Sequence, residues 1–467
     1  IHNTESSKDY YIPRLSWLPN SEAIIYQWQS RDQKTLKLQR YQLKNKKQTT
    51  LLTEKSTHWL NLHDDLYFLK KNNSFIWSSE RDGFKHLYHF NQNGKLIKQL
   101  TKGLWVIDKL EYVDEDTGWV YFSGRADSPL EKHLYKVSLN SIAPEHVERV
   151  SSENSYHNII FAKKHAIFAD FFSNTKTPNQ VDIHDLVNRK KYTLSSNTVD
   201  KTHPLNDYQT DLITPTLGSI IADDGVTKLF YKMFQPKHLI QGKKYPVIVK
   251  VYGGPHVQRV KNQWQKVDLN QYFAQQGYIV FQLDGRGSSN RGVEFEKPIH
   301  NLLGKVELVD QVSGVKFLHI LPFVDKSKIA IYGHSYGGYM VLMAMMKEDE
   351  YFSAGISGAP VTDWRLYDTH YTERYLSQPD ENPKGYENSS VFPYIKNLKK
   401  PLLVYHGMAD DNVLFTHTTK LIKALQDQNK HFSLMTYPGS KHSLNGKKVK
   451  MHLASTIIEF LEQALKK

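Results

Sequence analysis

The stretch Gly333-His334-Ser335-Tyr336-Gly337-Gly338 constrains this chain more than any other. It follows the apolar run Lys328-Ile329-Ala330-Ile331-Tyr332 and precedes the helix-like run from Tyr339 to Lys347. A short apolar run bounded by a turn signal predicts a buried strand, and the longer apolar segment behind it predicts a helix. Where a strand passes into a helix through a Gly-x-Ser-x-Gly turn, only small flanking residues tolerate the bend. The serine hydroxyl then projects above the sheet towards a base. A Gly-Ser-Gly match alone is a weak signal. Here the flanks agree on both sides, so Ser335 is read as a nucleophile rather than as part of a plain tight turn.

A serine nucleophile needs a base and an acid that orients it, and in α/β-hydrolase folds these follow in the chain order Ser, Asp or Glu, His. Downstream, the strand-like run Pro401-Leu402-Leu403-Val404-Tyr405 leads into His406-Gly407-Met408-Ala409-Asp410-Asp411-Asn412-Val413. This puts acids on a loop at a strand's carboxyl end, the edge where open α/β sheets gather catalytic groups. Phe432 to Tyr437 reads as a further strand and Pro438-Gly439-Ser440-Lys441-His442 as the loop after it. Among 22 histidines, His442 alone occupies the position that the chain order demands of the base. His406 and His334 are read as structural. Spacing does not choose between Asp410 and Asp411, since either could be solvated or cap the following turn.

Upstream, Tyr245 to Tyr252 forms an apolar run ending in Gly253-Gly254-Pro255. The backbone N–H of Tyr336, next to the nucleophile, is one expected oxyanion donor, and the loop after this strand is the place for a second. Tyr252 could supply a phenol O–H there, or could equally be a packed aromatic at a strand end.

The first 200 residues have another character. Short aromatic and β-branched runs are broken by polar turns, as in Ala23 to Trp28, Ser74 to Trp77, Trp119 to Phe122 and Ala166 to Phe172. Arg31-Asp32, Arg81-Asp82 and Arg125-Ala126-Asp127 each follow such a run, and Leu36-Lys37-Leu38, Leu87-Tyr88 and Leu134-Tyr135 follow those in turn. A repeat of roughly 45 to 50 residues lies in the range of four-stranded propeller blades. The expected fold is therefore an α/β-hydrolase domain with a mostly parallel, doubly wound sheet over residues 206–467, preceded over residues 1–205 by part of an all-β propeller of about four blades.

From about Ile213 onwards the chain resembles the catalytic domain of the prolyl oligopeptidase family, in particular its dipeptidyl peptidase IV branch. The resemblance rests on Tyr252-Gly253-Gly254-Pro255, Asp284-Gly285-Arg286-Gly287-Ser288, the serine turn, the run from Tyr367 to Tyr375, and His406 to Val413. It implies a serine exopeptidase that releases Xaa-Pro or Xaa-Ala dipeptides from peptide amino termini. Ser335 would be the nucleophile, Asp410 the orienting acid, His442 the base and Tyr252 the side-chain oxyanion donor. It further implies a proline pocket lined by Tyr336, Val361, Trp364, Tyr367, Tyr371 and Val413, with Asn412 holding a substrate carbonyl. Tyr367 and Tyr371 are four residues apart and would share a face on a helix. That branch holds the substrate's ammonium with two adjacent glutamates, and no Glu-Glu pair occurs in this sequence. The segment Glu5 to Trp17 resembles propeller sequence just after that motif, which places the expected anchor before Ile1 in a longer protein.

Composition narrows the alternatives. The net charge of +13 comes from scattered lysines, as in Lys44 to Lys47 and Lys447 to Lys450, which reads as solvated surface rather than a nucleic-acid stripe. No cysteine is present, which excludes a thiol nucleophile and disulfides. No apolar run reaches membrane-spanning length. Neither metal-ligand spacing nor a phosphate loop appears, and the expected chemistry needs no cofactor. The implied partners are peptide substrates with proline or alanine at the second position, with homodimerisation an open option. The resemblance to exported bacterial members points to the periplasm, with the cytoplasm left open. Two other readings stand beside the exopeptidase: a related acylaminoacyl peptidase, oligopeptidase or esterase, and an interaction protein whose propeller is the working surface.

Overall fold

The computed structural model describes residues 9–152, 154–163 and 165–466. The start of the Glu5 to Trp17 segment lies outside them. The chain divides into two compact units. One holds residues up to 203 together with 261–264 and 290–295, and the other holds 204–260, 265–289 and 296–467.

Among the described residues the first unit contains four antiparallel sheets of four strands, each a meander in chain order. They are β1–β4 (Tyr10–Trp17, Ala23–Ser30, Thr35–Gln42, Gln48–Lys55), β5–β8 (Leu66–Phe68, Phe75–Ser79, His86–Phe90, Leu96–Gln99), β9–β12 (Ile107–Asp114, Trp119–Gly124, His133–Ser138, Glu148–Arg149) and β13–β16 (Tyr156–Phe161, Ile167–Ser173, Gln180–Asp185, Lys190–Ser195). The middle strands are the most buried: in the second sheet β6 is buried throughout, whereas β8 has no buried residue. Aromatic rings fill the inner strands. Phe75 lies between Phe68 and Phe90 at centroid distances of 5.3 and 5.2 Å. The repeated Arg-Asp phrases fall just after β2, β6 and β10, and each arginine pairs with an acid: Arg31 with Asp9, Arg81 with Glu54 and Arg125 with Asp108.

The second unit is built on an eight-stranded sheet. Its strands are β17 (Thr216–Ile221), β18 (Lys228–Phe234), β19 (Tyr245–Val251), β20 (Ile279–Asp284), β21 (Val324–His334), β22 (Ala354–Gly358), β23 (Leu402–Gly407) and β24 (Ser433–Tyr437). Their order is β17-β18-β20-β19-β21-β22-β23-β24. Only β18 runs against the others. Strands buried on both faces read as continuous apolar runs, which is why β19 and β21 were visible in the sequence. The helices are α1 (Leu269–Gln275), α2 (Val293–Glu296), α3 (Val306–Ile320), α4 (Tyr336–Lys347), α5 (Thr369–Leu376), α6 (Pro383–Ser389), α7 (Thr416–Asp427) and α8 (Lys447–Lys466). Ile248, Ala330 and Ile356 pack with Phe273 of α1 and with Ile457 and Leu461 of α8. Their strand neighbours Val249 and Ile331 point the other way and are equally buried.

Parallel register brings the strand ends to one edge. Val251 pairs with Gly333, His334 with Gly358, Gly358 with Tyr405, and Gly407 with Tyr437. Helix α4 starts directly after Ser335, three residues earlier than its apolar run suggests, and is buried from Tyr336 to Met346. It can approach the sheet this closely because residue 337 has no side chain: a Cβ there would overlap the carbonyl oxygen of Val251, and one on Gly333 would overlap the backbone of Gly337. Backbone cannot step aside cheaply in a packed core. Gly337→Ala is therefore expected to lower unfolding stability by about 1–3 kcal/mol. Urea denaturation followed by tryptophan fluorescence measures this, and an unchanged midpoint would show that helix and sheet can separate freely.

Candidate active site

Ser335 sits at the tip of β21 with φ 62° and ψ −123°. A side chain at positive φ costs of order 1–3 kcal/mol and persists only where its surroundings enforce it. Here the enforcement is visible on both sides, since the Ser335 N–H donates to the Gly358 carbonyl at 2.8 Å and the Ser335 carbonyl accepts from the Tyr339 N–H at 3.0 Å. The Ser335 hydroxyl does not cap the helix. Tyr336 is the first residue of α4, where backbone N–H groups have no partner within the helix. Tyr252 follows Val251, which is in register with Gly333, so it stands at the same sheet edge. Burial raises the pKa of its phenol while the Arg259 guanidinium, 4.6 Å from its ring centroid, opposes that rise. The phenol is thereby kept protonated and able to donate.

Asp410 and His442 come together across loops that end β23 and β24. His442 Nδ1 lies 2.7 Å from Asp410 Oδ2, and the imidazole is partly open to solvent, whereas the carboxylate is fully buried. The other carboxylate oxygen, Oδ1, accepts the N–H groups of Asn412 and Val413 at 2.9 and 3.0 Å. Burial by itself would raise the pKa of Asp410. Donors from His406, His442 and the Asn412 backbone outweigh it and hold the carboxyl well below its ordinary range. Asp411 is exposed and pairs with Lys441 at 2.7 Å.

The other two histidines near the site have both ring nitrogens engaged. His406 is fully buried, with Nε2 at 3.0 Å from Asp410 Oδ2 and 2.9 Å from the Val413 carbonyl, and Nδ1 at 2.7 Å from Thr418 Oγ1. Two acceptors on Nε2 require the proton there, so Nδ1 accepts from Thr418. His406 thus donates to Asp410 and has no free nitrogen. His334 reaches the His442 carbonyl with Nε2 at 3.0 Å and Tyr405 Oη with Nδ1 at 3.2 Å. Burial, and the neighbouring His442 imidazole, lower the His334 pKa from 6.5 to about 4.

The aromatic residues cluster around the buried indole of Trp364. Tyr336, Tyr367 and Tyr371 lie with ring centroids 5.4, 5.9 and 6.1 Å from it, and Val361 and Val413 are buried. The expected helical pairing of Tyr367 with Tyr371 is corrected in one respect. Tyr367 precedes α5 in extended conformation (φ −107°, ψ 169°), because Asp368 caps the helix by accepting the Tyr371 N–H. The rings still meet edge to face at 5.3 Å, brought together by the bend rather than by a shared helical face. Tyr367 donates its phenol proton to Asn412 Oδ1 at 2.6 Å, which leaves the Asn412 amide N–H groups to face elsewhere.

The sequence reading missed Thr418, which supports His406, and Glu307, which accepts the Tyr336 phenol at 2.6 Å. No spacing rule connects these positions to the site. The histidines supply a further expectation. His334 and His417 are both lowered by burial from 6.5 to about 4. Between those values the unfolded chain binds more protons than the folded one, so stability rises with pH through the window and is lost on acidification. Unfolding midpoints measured from about pH 7 down to 4 should fall, and His334→Gln should flatten the fall. A midpoint that stays level would contradict neutral, buried imidazoles.

Residues 265–467 match the family model described as prolyl oligopeptidase family, and residues 1–179 match that of the dipeptidyl peptidase IV N-terminal region. The chain is 34% identical to human dipeptidyl peptidase 8 over 456 residues, covering 87% of this chain and 49% of that protein. Among solved structures it is similar to Porphyromonas gingivalis dipeptidyl peptidase 4, with TM-score 0.92 and 29% identity over 99% of this chain and 65% of that one. It is also similar to a Bacteroides ovatus protein provisionally named dipeptidyl aminopeptidase IV, with TM-score 0.91, 32% identity, and coverage of 99% of this chain and 68% of that one. The chain spans about half the length of the curated relatives it matches. With the hydrolase sheet, the propeller sheets and both family models in the same order along one sequence, the chain belongs to the prolyl oligopeptidase family, in its dipeptidyl peptidase IV-like branch.

Proposed function

We propose that this chain carries the catalytic machinery of a serine exopeptidase that releases Xaa-Pro or Xaa-Ala dipeptides from peptide amino termini. The observation that carries the reading is the 2.7 Å contact between His442 Nδ1 and Asp410 Oδ2 at the sheet edge where Ser335 is held out of the sheet. In this mechanism the Ser335 hydroxyl attacks the scissile carbonyl carbon while His442 Nε2 takes its proton. The resulting oxyanion is stabilised by the Tyr336 N–H and the Tyr252 phenol. Collapse of the tetrahedral intermediate breaks the C–N bond, and the imidazolium returns its proton to the leaving amine. Water then repeats the sequence on the acyl-enzyme. Asp410 keeps Nδ1 protonated and stabilises the imidazolium, a role suited to a carboxyl held ionised by so many donors. A flat aromatic slot around Trp364 suits a pyrrolidine ring, and the Asn412 amide is free to donate to a substrate carbonyl.

Two experiments test this. A fluorophosphonate should label Ser335 covalently, with the adduct mapped by mass spectrometry. Labelling that persists in Ser335→Ala would refute the assignment.

The base is tested by turnover of an Ala-Pro chromogenic amide. His442→Ala should lower kcat/KM by roughly 10^4- to 10^6-fold, as removal of a triad member does. His406→Ala should lose only about ten- to a hundred-fold, as expected for one charge-assisted donor of ~1.5–3 kcal/mol. The reverse ranking of the two histidine variants would move the base to His406.

A further inference from the structure

The carboxylate of Glu307 is fully buried, although the mechanism above assigns it no role. Burying a charge is costly unless donors surround it. This one has three. Glu307 Oε1 accepts the Tyr336 phenol proton at 2.6 Å and the Gly304 N–H at 3.0 Å, and Oε2 accepts the Lys305 N–H at 3.1 Å. Burial raises the Glu307 pKa and the three partners oppose that rise; because all three donate, the carboxylate lone pairs they meet need no proton. Burial and the adjacent carboxylate push the Tyr336 phenol pKa well above its usual value, which keeps it a donor.

Position gives this contact its meaning. Tyr336 is tied at its backbone end to Ser335 and at its phenol end to Glu307, the second residue of α3. Between those ends its ring meets Tyr252 at 6.2 Å and Trp364 at 5.4 Å. Gly254 is wedged where a Cβ would collide with both the Tyr252 and the Tyr336 rings. One turn further along α4, the Tyr339 phenol donates to the Leu303 carbonyl at 3.1 Å. The first turn of α3 and the loop before it therefore grip α4 through two phenols, one of which belongs to the aromatic slot.

We propose that Glu307 is a specificity-positioning residue, whose carboxylate holds the Tyr336 ring at one fixed angle and so sets the shape of the slot for the residue preceding the scissile bond. This rests on the exopeptidase reading. A ring held at both ends cannot tilt to fit its ligand, so the slot accepts a rigid pyrrolidine and fills poorly around a methyl side chain. Once the phenol is released, the ring can tilt and the distinction blurs.

The test compares kcat/KM for Ala-Pro and Ala-Ala chromogenic amides in the wild-type chain, Glu307→Gln, Tyr336→Phe and the double variant. The rate of Ser335 labelling by a fluorophosphonate is followed in parallel. Glu307→Gln keeps the shape and one acceptor, so it should fold even where Glu307→Ala does not. Tyr336→Phe should cut the proline-over-alanine ratio by about tenfold, chiefly through KM for the proline substrate, and Ser335 labelling in Glu307→Gln should stay within about threefold of wild type. Glu307→Gln should produce a smaller cut in the same direction. The double variant should lose no more than Tyr336→Phe alone, because both changes remove one interaction. A ratio unchanged in both single variants, or additive losses in the double, would overturn the proposal while leaving the exopeptidase reading intact. A wild-type chain that labels at Ser335 yet shows no preference for proline would overturn both.

Discussion

Helix α4 lies so close to the sheet that Gly337 has no room for a side chain against the Val251 carbonyl, and the geometry of the candidate site follows from that approach. With the helix start fixed against β19 and β21, Ser335 has no helical or extended conformation open to it and is left at φ 62°. The same approach presents the Tyr336 N–H at the first turn of a buried helix and sets its ring between Tyr252 and Trp364. Strain at the serine is borne by the surrounding hydrogen bonds and by a helix core from Tyr336 to Met346 that cannot shift without opening cavities.

Around this fixed point the polar groups form two chains that end in buried carboxylates. In one, Thr418 supports His406, His406 donates to Asp410, and Asp410 receives His442. In the other, Tyr336 donates to Glu307, which also gathers two backbone N–H groups. A buried carboxylate is stable only when its lone pairs are met, and each acid here fixes the orientation of its neighbours as a consequence. The first chain sets the tautomer of the His442 imidazole. The second sets the angle of an aromatic ring. His334 ties the first chain to the serine strand by donating to the His442 carbonyl.

Much of this could be read from the sequence, because the strand–turn–helix grammar is local. The apolar runs of β19 and β21, the glycines of the turn, and the order of Ser335, Asp410 and His442 all depend on near neighbours in the chain. The sheet-by-sheet repetition of the first unit was legible for the same reason, since each meander closes on itself within about 50 residues. What stayed hidden was long-range or depended on burial. Asp410 and Asp411 are adjacent and chemically identical, and only the fold turns one under the His406 and His442 rings and the other outward to Lys441. Tyr367 looked like a helical partner of Tyr371, yet the Asp368 cap starts the helix after it.

The sequence by itself determined which elements form and in what order the chemical groups arrive, because periodicity, turn residues and chain order are properties of short segments. The tertiary structure alone decided which of several equivalent groups share a hydrogen bond. Glu307 and Tyr336 are 29 residues apart, and Asp410 and His442 are 32. Their contacts arise from the parallel register of the sheet and from the cost of leaving a buried charge unpaired. No local pattern encodes that register, since it is settled only when the whole sheet packs.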